Sequence, residues 1–288
     1  MAKTDAPRKN WLKSALVRMT SSDMAQQFLE CHVQFVLELM GIGSGSSASW
    51  SGEKELRRML RERYAASGSP LCILDVGSNI GQFLGEVIQP LAAARIPLRV
   101  HAFEPSPAAF QVLQAAFGDR ADVSLNNFGL GRESGVFELF SNAAGSGLGS
   151  LSRRRLDHFG IEFNASEKVR IERLDDYCRE HGVERIDLLK LDVEGHELDV
   201  LQGGARMLRE RRVAILSFEF GGADIDSRAF FQDFWYFFRD NAAGRLHRLT
   251  PSGRLIPILE YREIYEQFRP TIFVVLQSEA STGERSRD

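Results

Sequence analysis

The stretch that decides the fold is LCILDVGSNIGQF, residues 71–83. Its apolar first half predicts a buried strand, and Gly77 and Gly81 suit a tight turn into a helix. A dinucleotide site would need a glycine where Asn79 stands, because a pyrophosphate must approach the backbone there. The carboxylate of Asp75 would not favour a phosphate either. The turn therefore predicts a ligand without phosphate, whose ammonium group Asp75 could bind while also organising the loop amides.

The next predicted strand, in the segment HAFEPSP (101–107), carries a second acid. Glu104 stands at the carboxyl end of that strand, where an acidic residue binds a ribose diol through charge-assisted hydrogen bonds. Pro105 and Pro107 end the strand and start a helix. Two acids at adjacent strand ends favour a positively charged adenosyl ligand. S-adenosylmethionine has this chemistry: an adenosine, an amino-acid tail and a sulfonium.

The rest of the chain alternates apolar runs with helical stretches, which predicts a mostly parallel, doubly wound α/β sheet with helices on both faces. Predicted strands cover residues 71–76, 98–103, 122–125, 135–140, 168–173, 186–193, 213–220, 245–250, 254–259 and 271–276. The last ones form a hairpin, which predicts an antiparallel edge strand. We therefore expect an N-terminal helical extension over 1–66, a catalytic domain over 67–277 and a disordered tail over 278–288.

Composition narrows the class of protein. With 288 residues, 43% of them hydrophobic, the chain can bury one large α/β core. A net charge of −3 gives no general basis for binding nucleic acid. Three widely spaced cysteines predict free thiols in a cytoplasmic location. No apolar run approaches a membrane span, although the cationic segment 11–19 leaves weak peripheral membrane contact as an alternative to packing on the domain itself.

Three stretches together resemble a known family: DVGSNIGQF (75–83), FEPSPAAF (103–110) and IDLLKLDVEGHELDVLQGG (186–204). They are similar to the FkbM-type S-adenosylmethionine-dependent methyltransferases, over roughly residues 70–277. The resemblance implies a Rossmann-like methyltransferase fold and O-methylation of a sugar, a glycan or a natural-product small molecule. Phe128 departs from the family, which usually has a small residue there. The expected cofactor contacts are Asp75, Gly77, Ser78, Asn79, Gly81, Phe83, Glu104, Pro105 and Asn127.

The segment KLDVEGHE (190–197) supplies the candidate catalytic groups. In a doubly wound sheet its strand neighbours the first strand at the topological switch point, so both tips should face one crevice. A hydroxyl acceptor must lose its proton, and a positioned base contributes typically ~10²–10⁴-fold. Histidine is the natural base near neutral pH, so His196 is the first candidate, with Asp192 or Glu194 orienting it or the substrate. Lys190 is expected to pair with one of these acids.

The same segment allows a second interpretation. Asp192, Glu194 and His196 alternate along the chain, and an extended backbone would aim them together at a divalent metal such as Mg²⁺. Glu197 is expected to act at the helix start, where the helix dipole stabilises negative charge. Glu219, at the end of the strand over 213–220, should lie on the same rim, either contacting substrate or facing solvent.

Two further segments have alternative interpretations. The segment SNAAGSGLGSLSRRR (141–155) is either a solvated loop or a mobile lid whose arginines, Arg153, Arg154 and Arg155, bind an anionic substrate. The aromatic segment 230–238 predicts a helix packed on the sheet, with a homo-oligomer contact or an acceptor-pocket wall as alternatives.

Two other functions compete with methyl transfer. A nicotinamide-dependent oxidoreductase is disfavoured by Asn79, which stands in place of the second glycine of its motif. A non-catalytic binding module of the same fold would use the helices within 1–66 to bind a partner.

Overall fold

The computed structural model describes residues 7–45, 52, 54–241 and 243–277. The predicted tail over 278–288 lies outside the described residues. The chain forms two compact units, Met1–Met40 and Gly41–Asp288. The division of function predicted between residues 66 and 67 stays a prediction, whereas the packing units divide at Met40.

The described part of the first unit contains two helices, α1 (Pro7–Met19) and α2 (Asp23–Leu39). Ser22 caps α2, because its side-chain oxygen accepts a hydrogen bond from the Ala25 N–H at 3.3 Å. None of the described helices is both long enough and apolar enough to cross a membrane. Peripheral membrane contact through the segment 11–19 stays a prediction.

The described part of the second unit contains eleven strands. They are β1 (Leu71–Val76), β2 (Leu98–Phe103), β3 (Val123–Asn126), β4 (Gly129–Gly131), β5 (Gly135–Ser141), β6 (Ala165–Arg173), β7 (Ile186–Leu191), β8 (Val213–Phe220), β9 (Arg245–Leu249), β10 (Leu255–Pro257) and β11 (Thr271–Leu276). The helices are α3 (Lys54–Ser67), α4 (Gln89–Ala93), which follows a π-helical segment (Leu84–Ile88), α5 (Pro107–Phe117), α6 (Leu174–Glu180), α7 (Glu197–Gly203), α8 (Ala205–Arg209), α9 (Ala223–Ser227) and α10 (Phe231–Asp240).

Eight strands form one sheet in the order β10-β9-β11-β8-β7-β1-β2-β3. The strands from β8 to β3 pair in parallel, and β11, β9 and β10 continue the sheet in antiparallel fashion. The predicted Rossmann-like, doubly wound sheet with an antiparallel edge strand is confirmed. Its antiparallel part has three strands, whereas the predicted hairpin suggested one antiparallel edge strand. Strand β1 pairs directly with β7, with Val76 opposite Leu191, so their carboxyl ends meet.

A second sheet, of strands β4, β6 and β5, was not expected from the sequence. Strand β4 consists of only three residues, Gly-Leu-Gly, which carry no recognisable strand pattern. Its glycines allow close packing, because a Cβ on Gly129 or Gly131 would lie 2.8 Å from the Ile171 side chain.

The large sheet is covered on both faces because its buried side chains alternate along each strand. Along β1, Leu71 and Ile73 pack with Leu56 and Leu60 of α3 and with α5, whereas Leu74 and Val76 pack with the layer of α6, α7, α8 and α10. The helical stretch after β7 is interrupted at Gly204, between α7 and α8.

The aromatic helix α10 packs on the sheet, as predicted. Phe231, Phe234 and Phe238 are buried, and the Phe234 ring stacks on Phe218 of β8 at 4.9 Å. Replacing such a buried phenylalanine by alanine typically costs about 3–5 kcal/mol. Phe230 and Tyr236 remain exposed.

Candidate active site

The tips of β1 and β7 touch through a glycine. Gly77 follows β1 with a φ of +84°, and a Cβ added there would lie 1.8 Å from the Asp192 carbonyl oxygen. Beyond the strands, the Asp192 N–H donates to the Val76 carbonyl at 3.0 Å. A side chain at position 77 would therefore push apart the two segments on which the candidate site depends.

A buried lysine joins the two tips. The Lys190 Nζ lies 3.6 Å from the Asp75 carboxyl and 3.2 Å from the Asp192 carboxyl. Asp75 is fully buried, and burial raises the pKa of its carboxyl, an effect that Lys190 opposes. The prediction that Lys190 pairs with a neighbouring acid is confirmed, and the lysine contacts a second acid on β1 as well.

Glu104 is held by backbone donors at the end of β2. One carboxyl oxygen accepts the Asn79 N–H and the other accepts the Ser106 N–H, each at 2.8 Å. Burial raises the pKa of Glu104 to about 7, although the two N–H groups stabilise the charged form. The Asn127 side-chain amide donates to the Glu104 carbonyl at 2.9 Å. The carboxyl group is therefore fixed in place before any ligand binds.

Two cavities open at these strand tips. The smaller, of about 120 Å³, is lined by Glu104, Pro105 and His196 among others. The larger, of about 700 Å³, is lined by Ser78, Phe83 and Glu219 among others. Both cavities are lined by Gly77, Asn79, Gly147, Asp192 and Glu194. The two cavities therefore form one cleft at the carboxyl-terminal edge of the sheet.

Three of the expected cofactor residues lie outside the cavity walls. The Asp75 carboxyl lies behind them, paired with Lys190. Gly81 packs against α5, where a Cβ would lie 2.5 Å from the Phe117 ring. Asn127 bonds to the backbone of Glu104 and Pro105. The cofactor roles of all nine residues stay predictions.

Phe128, the residue that departs from the family pattern, belongs to the core. Its ring packs edge-on against Phe103 at 5.7 Å, and the Arg170 guanidinium lies 4.4 Å from its centroid. The side chain is buried and does not line either cavity. The larger residue at this position therefore contributes to packing.

The backbone after β7 turns sharply. Glu194 and Gly195 have φ values of +53° and +95°, so the extended conformation assumed for Asp192, Glu194 and His196 is wrong. Among the described residues, no group of three or more His, Cys, Asp or Glu side chains could hold a metal ion. The structure gives no support to the magnesium interpretation.

His196 is held on both sides of its ring. Nδ1 lies 2.8 Å from an Asp199 carboxyl oxygen, and Nε2 lies 3.1 Å from the Ser152 hydroxyl. The expectation that Asp192 or Glu194 orients His196 is corrected, because Asp199 makes that contact. The spacing of three residues at a helix start could have indicated Asp199. The distant Ser152 gave no signal in the sequence.

Glu194 is paired with an arginine from the segment 141–155. The Arg154 guanidinium donates to the Glu194 carboxyl, and its Nε lies 3.8 Å from Asp226. Burial and the neighbouring Asp192 raise the pKa of Glu194 to about 7, and Arg154 opposes this rise. Arg154 is therefore occupied by carboxylates of this chain.

The rest of the segment 141–155 also docks against the chain itself. The Ser150 hydroxyl donates to the Glu194 carbonyl at 2.7 Å. The Arg153 guanidinium lies 4.9 Å from the Phe140 ring centroid, and Arg155 is exposed. A substrate role for Arg153 and Arg154 stays a prediction.

Glu197 and Glu219 differ in their surroundings. The Glu197 carboxyl accepts the Val193 and Gly195 N–H groups, at 2.8 and 3.1 Å, so it supports the turn that leads into α7. Burial raises the pKa of both glutamates well above the usual range. Glu219 faces the larger cavity near Asp192 and Glu194, and its contact with substrate stays a prediction.

The chain is similar to known methyltransferases. A family model described as "Methyltransferase FkbM domain" matches residues 75–244. The "2-O-methyltransferase NoeI" of Sinorhizobium fredii is 30% identical over 149 residues, covering 49% of this chain and 60% of that protein. The "Methyltransferase sdnD" of Sordaria araneosa is 34% identical over 157 residues, covering 46% of this chain and 59% of that protein. The chain thus spans about 60% of the length of these relatives.

A solved structure is also similar to this chain, with low sequence identity. The S-adenosylmethionine-dependent methyltransferase from Agrobacterium tumefaciens aligns with 12% identity and a TM-score of 0.38. The alignment covers 78% of this chain and 62% of that chain.

Proposed function

This chain belongs to the FkbM methyltransferase family, and from that premise we propose that it transfers the methyl group of S-adenosylmethionine to a hydroxyl oxygen. Transfer to oxygen is supported by the name of the Sinorhizobium relative, a 2-O-methyltransferase. The proposed acceptor is a sugar, a glycan, or a glycosylated or natural-product small molecule. The observation that carries the proposal is the contact between the β1 and β7 tips, at Gly77 and Asp192, within one cleft.

The polar groups of the cleft fit a cationic adenosyl cofactor. Within the cleft, the buried side-chain oxygen of Asn79 accepts no hydrogen bond from the described residues. The Asp75 carboxyl lies behind the cavity walls, paired with Lys190, and acts on a ligand only through its charge. Each carboxyl oxygen of Glu104 has one backbone donor and keeps a free lone pair for a ribose hydroxyl. Asp192 and Glu194 add negative charge on the β7 side. This surplus of carboxylates favours a sulfonium and an ammonium and disfavours a diphosphate.

The residues of the β7 tip can prepare an acceptor hydroxyl. When bound, the cofactor supplies an electrophilic methyl group, so the chain's task is to align and deprotonate the acceptor oxygen. His196 is the proposed base, and it lines the smaller cavity. Asp192 and Glu194 line both cavities and can accept hydrogen bonds from neighbouring sugar hydroxyls.

The proposal extends to domain and location. Residues 67–277 are proposed to carry cofactor and acceptor, and the helices within 1–66 to help select the acceptor. Cys31, Cys72 and Cys178 are free thiols, which supports a reducing compartment such as the cytoplasm.

The test is transfer of labelled methyl groups. The full chain is incubated with methyl-labelled S-adenosylmethionine and a cell extract, with and without EDTA, and the label is followed into glycan and small-molecule fractions. We expect labelling of a hydroxyl-bearing acceptor that persists in EDTA and is lost in His196→Gln. Cofactor binding without transfer to any fraction would instead favour the non-catalytic module, and loss of transfer in EDTA would restore the metal interpretation.

A further inference from the structure

We propose that Ser152, His196 and Asp199 form a proton relay, in which Asp199 positions the His196 ring and Ser152 passes the acceptor's proton to it. The inference rests on the proposed methyl transfer. It assigns roles to two residues to which the sequence analysis gave none: Ser152 on the segment 141–155 and Asp199 on α7.

The hydrogen bonds define which ring nitrogen carries the proton. The Asp199 carboxylate can only accept, so the His196 Nδ1–H donates to it across 2.8 Å. In the neutral ring Nε2 then has a lone pair, and the Ser152 hydroxyl donates to it across 3.1 Å. The imidazole therefore presents its basic nitrogen to Ser152 of the segment 141–155. His196 lines the smaller cavity, as do Gly149 and Leu151 of the same segment.

Asp199 is itself held in place. Arg132 pairs with one carboxyl oxygen at 2.9 Å, which leaves the other oxygen for His196. Burial would raise the pKa of Asp199, but the hydrogen bond from His196 and the charge of Arg132 outweigh it and lower the pKa. The carboxylate is thus an ionised acceptor that can stabilise a positively charged imidazolium.

Residues before and after Ser152 in the chain contact the turn that follows β7, and these contacts hold Ser152 in place. Two residues before it, the Ser150 hydroxyl donates to the Glu194 carbonyl at 2.7 Å. Two residues after it, Arg154 pairs with the Glu194 carboxyl. An acceptor hydroxyl can reach Nε2 only by displacing Ser152 or by transferring its proton through Ser152. The two anchors keep the serine hydroxyl beside the ring, which favours transfer through it.

The transfer balances as follows. The O–H bond of the acceptor breaks as its oxygen takes the methyl group, and the bond between that methyl carbon and the cofactor's sulfur breaks, so that S-adenosylhomocysteine leaves as a neutral thioether. The acceptor's proton goes to the Ser152 oxygen. The proton that Ser152 carried passes to the His196 Nε2, so the serine ends unchanged. The resulting imidazolium faces the Asp199 carboxylate and releases its proton to water after the product leaves.

The positioning of the His196 ring by Asp199 can be tested without cofactor or acceptor. Nitrogen NMR of the full chain labelled with ¹⁵N-histidine reports the proton on each ring nitrogen, and His196→Gln identifies the His196 signals. We expect hydrogen on Nδ1 in the wild type and a shift toward Nε2–H in Asp199→Asn. The control Asp176→Asn, which removes a half-buried carboxylate of α6 that pairs with Arg179, should leave the signals unchanged. Hydrogen on Nε2 in the wild type, or no change in Asp199→Asn, would overturn the role of Asp199.

The relay itself is tested by kinetics. Ser152→Ala should lower kcat by about 10²-fold, the scale of a lost proton-transfer partner, with acceptor KM and cofactor Kd nearly unchanged. Ser152→Thr, which keeps the hydroxyl, should recover most of the rate. Ser166→Ala, on the exposed side of β6, serves as the control.

Each failure has a separate meaning. If Ser152→Ala keeps or raises the wild-type kcat, the serine is merely displaced by the acceptor, and the relay is wrong. If the wild type transfers no methyl group at all, the proposed function fails, and the NMR result still decides whether Asp199 positions His196.

Discussion

The two sides of the cleft hold their carboxyl groups by different means. On the β2 side, Glu104 is held by backbone N–H groups of Asn79 and Ser106. On the β7 side, Glu194 is held by the Arg154 side chain, which lies 40 positions away along the chain. Backbone donors in a packed turn are fixed by the sheet, whereas a long arginine side chain must lose rotamer freedom to bind. The β2 side is therefore preorganised by the fold, and the β7 side depends on docking of the segment 141–155.

The contact shared by both sides gives the largest expected effect. Gly77→Ala places a Cβ 1.8 Å from the Asp192 carbonyl oxygen, at a φ of +84°. A left-handed alanine alone costs roughly 1–2 kcal/mol, and the backbone clash should raise the loss in unfolding free energy to about 3 kcal/mol or more. Urea unfolding measures it.

Gly68→Ala is the matched control for this variant. Gly68 also has a positive φ, +64°, but no atom lies within 4 Å of the added Cβ. It should show only the conformational cost, roughly 1–2 kcal/mol. Equal losses in the two variants would mean that the strand tips do not need close contact.

The second prediction concerns Glu104, on the preorganised β2 side of the cleft. Glu104→Gln should weaken binding of S-adenosylmethionine by roughly 10- to 100-fold at pH 8, the scale of a lost charge-assisted hydrogen bond. Burial raises the pKa of Glu104 to about 7, so the wild type should bind the cationic cofactor less tightly at pH 6 than at pH 8. Calorimetry should show a smaller pH dependence in the variant. An unchanged affinity at pH 8 would remove the ribose assignment.

The third prediction tests whether a change on the β7 side of the cleft affects acceptor binding and leaves cofactor binding on the β2 side intact. Arg154→Ala should raise the acceptor KM by about 3- to 10-fold, because Glu194 loses its partner, while the cofactor Kd changes little. Steady-state kinetics and calorimetry measure the two quantities. Arg155→Ala is the control, since that side chain is exposed. An equal effect of the two variants would show that the buried ion pair does not organise the acceptor side.

The last prediction concerns stability and the raised pKa of Glu194, about 7 against an ordinary value of 4.5. Between these values the folded chain binds more protons than the unfolded chain, so this group's contribution to stability falls as pH rises. Glu194→Gln lacks that group. From pH 5 to pH 8 the variant should therefore gain roughly 2 kcal/mol in unfolding free energy relative to the wild type. Urea unfolding at both pH values checks this, and a constant difference would contradict the raised pKa.

The sequence predicted the sheet well because strand patterns are local. Strands β2, β8 and β11 have their predicted ends, and the pairing of β1 with β7 followed from the rule for doubly wound sheets. Strand β4 was missed because three residues carry no periodicity.

The sequence predicted the site less completely, for a physical reason. Asp75, Asn79 and Glu104 come together through neighbouring strand ends, so their motifs sufficed. The partners of Glu194 and His196, by contrast, include Arg154 and Ser152 from a segment about 40 residues away. Such pairs depend on how a Gly/Ser-rich segment folds back on the sheet, and no local pattern encodes that.

The central claim is that the adjoining strand tips bind one phosphate-free adenosyl cation. Calorimetric titration of the full chain with S-adenosylmethionine, and separately with NAD, tests it most directly. We expect saturable binding of one S-adenosylmethionine per chain and no measurable heat of binding from NAD. Binding of NAD with comparable affinity, or no binding of S-adenosylmethionine, would contradict the account.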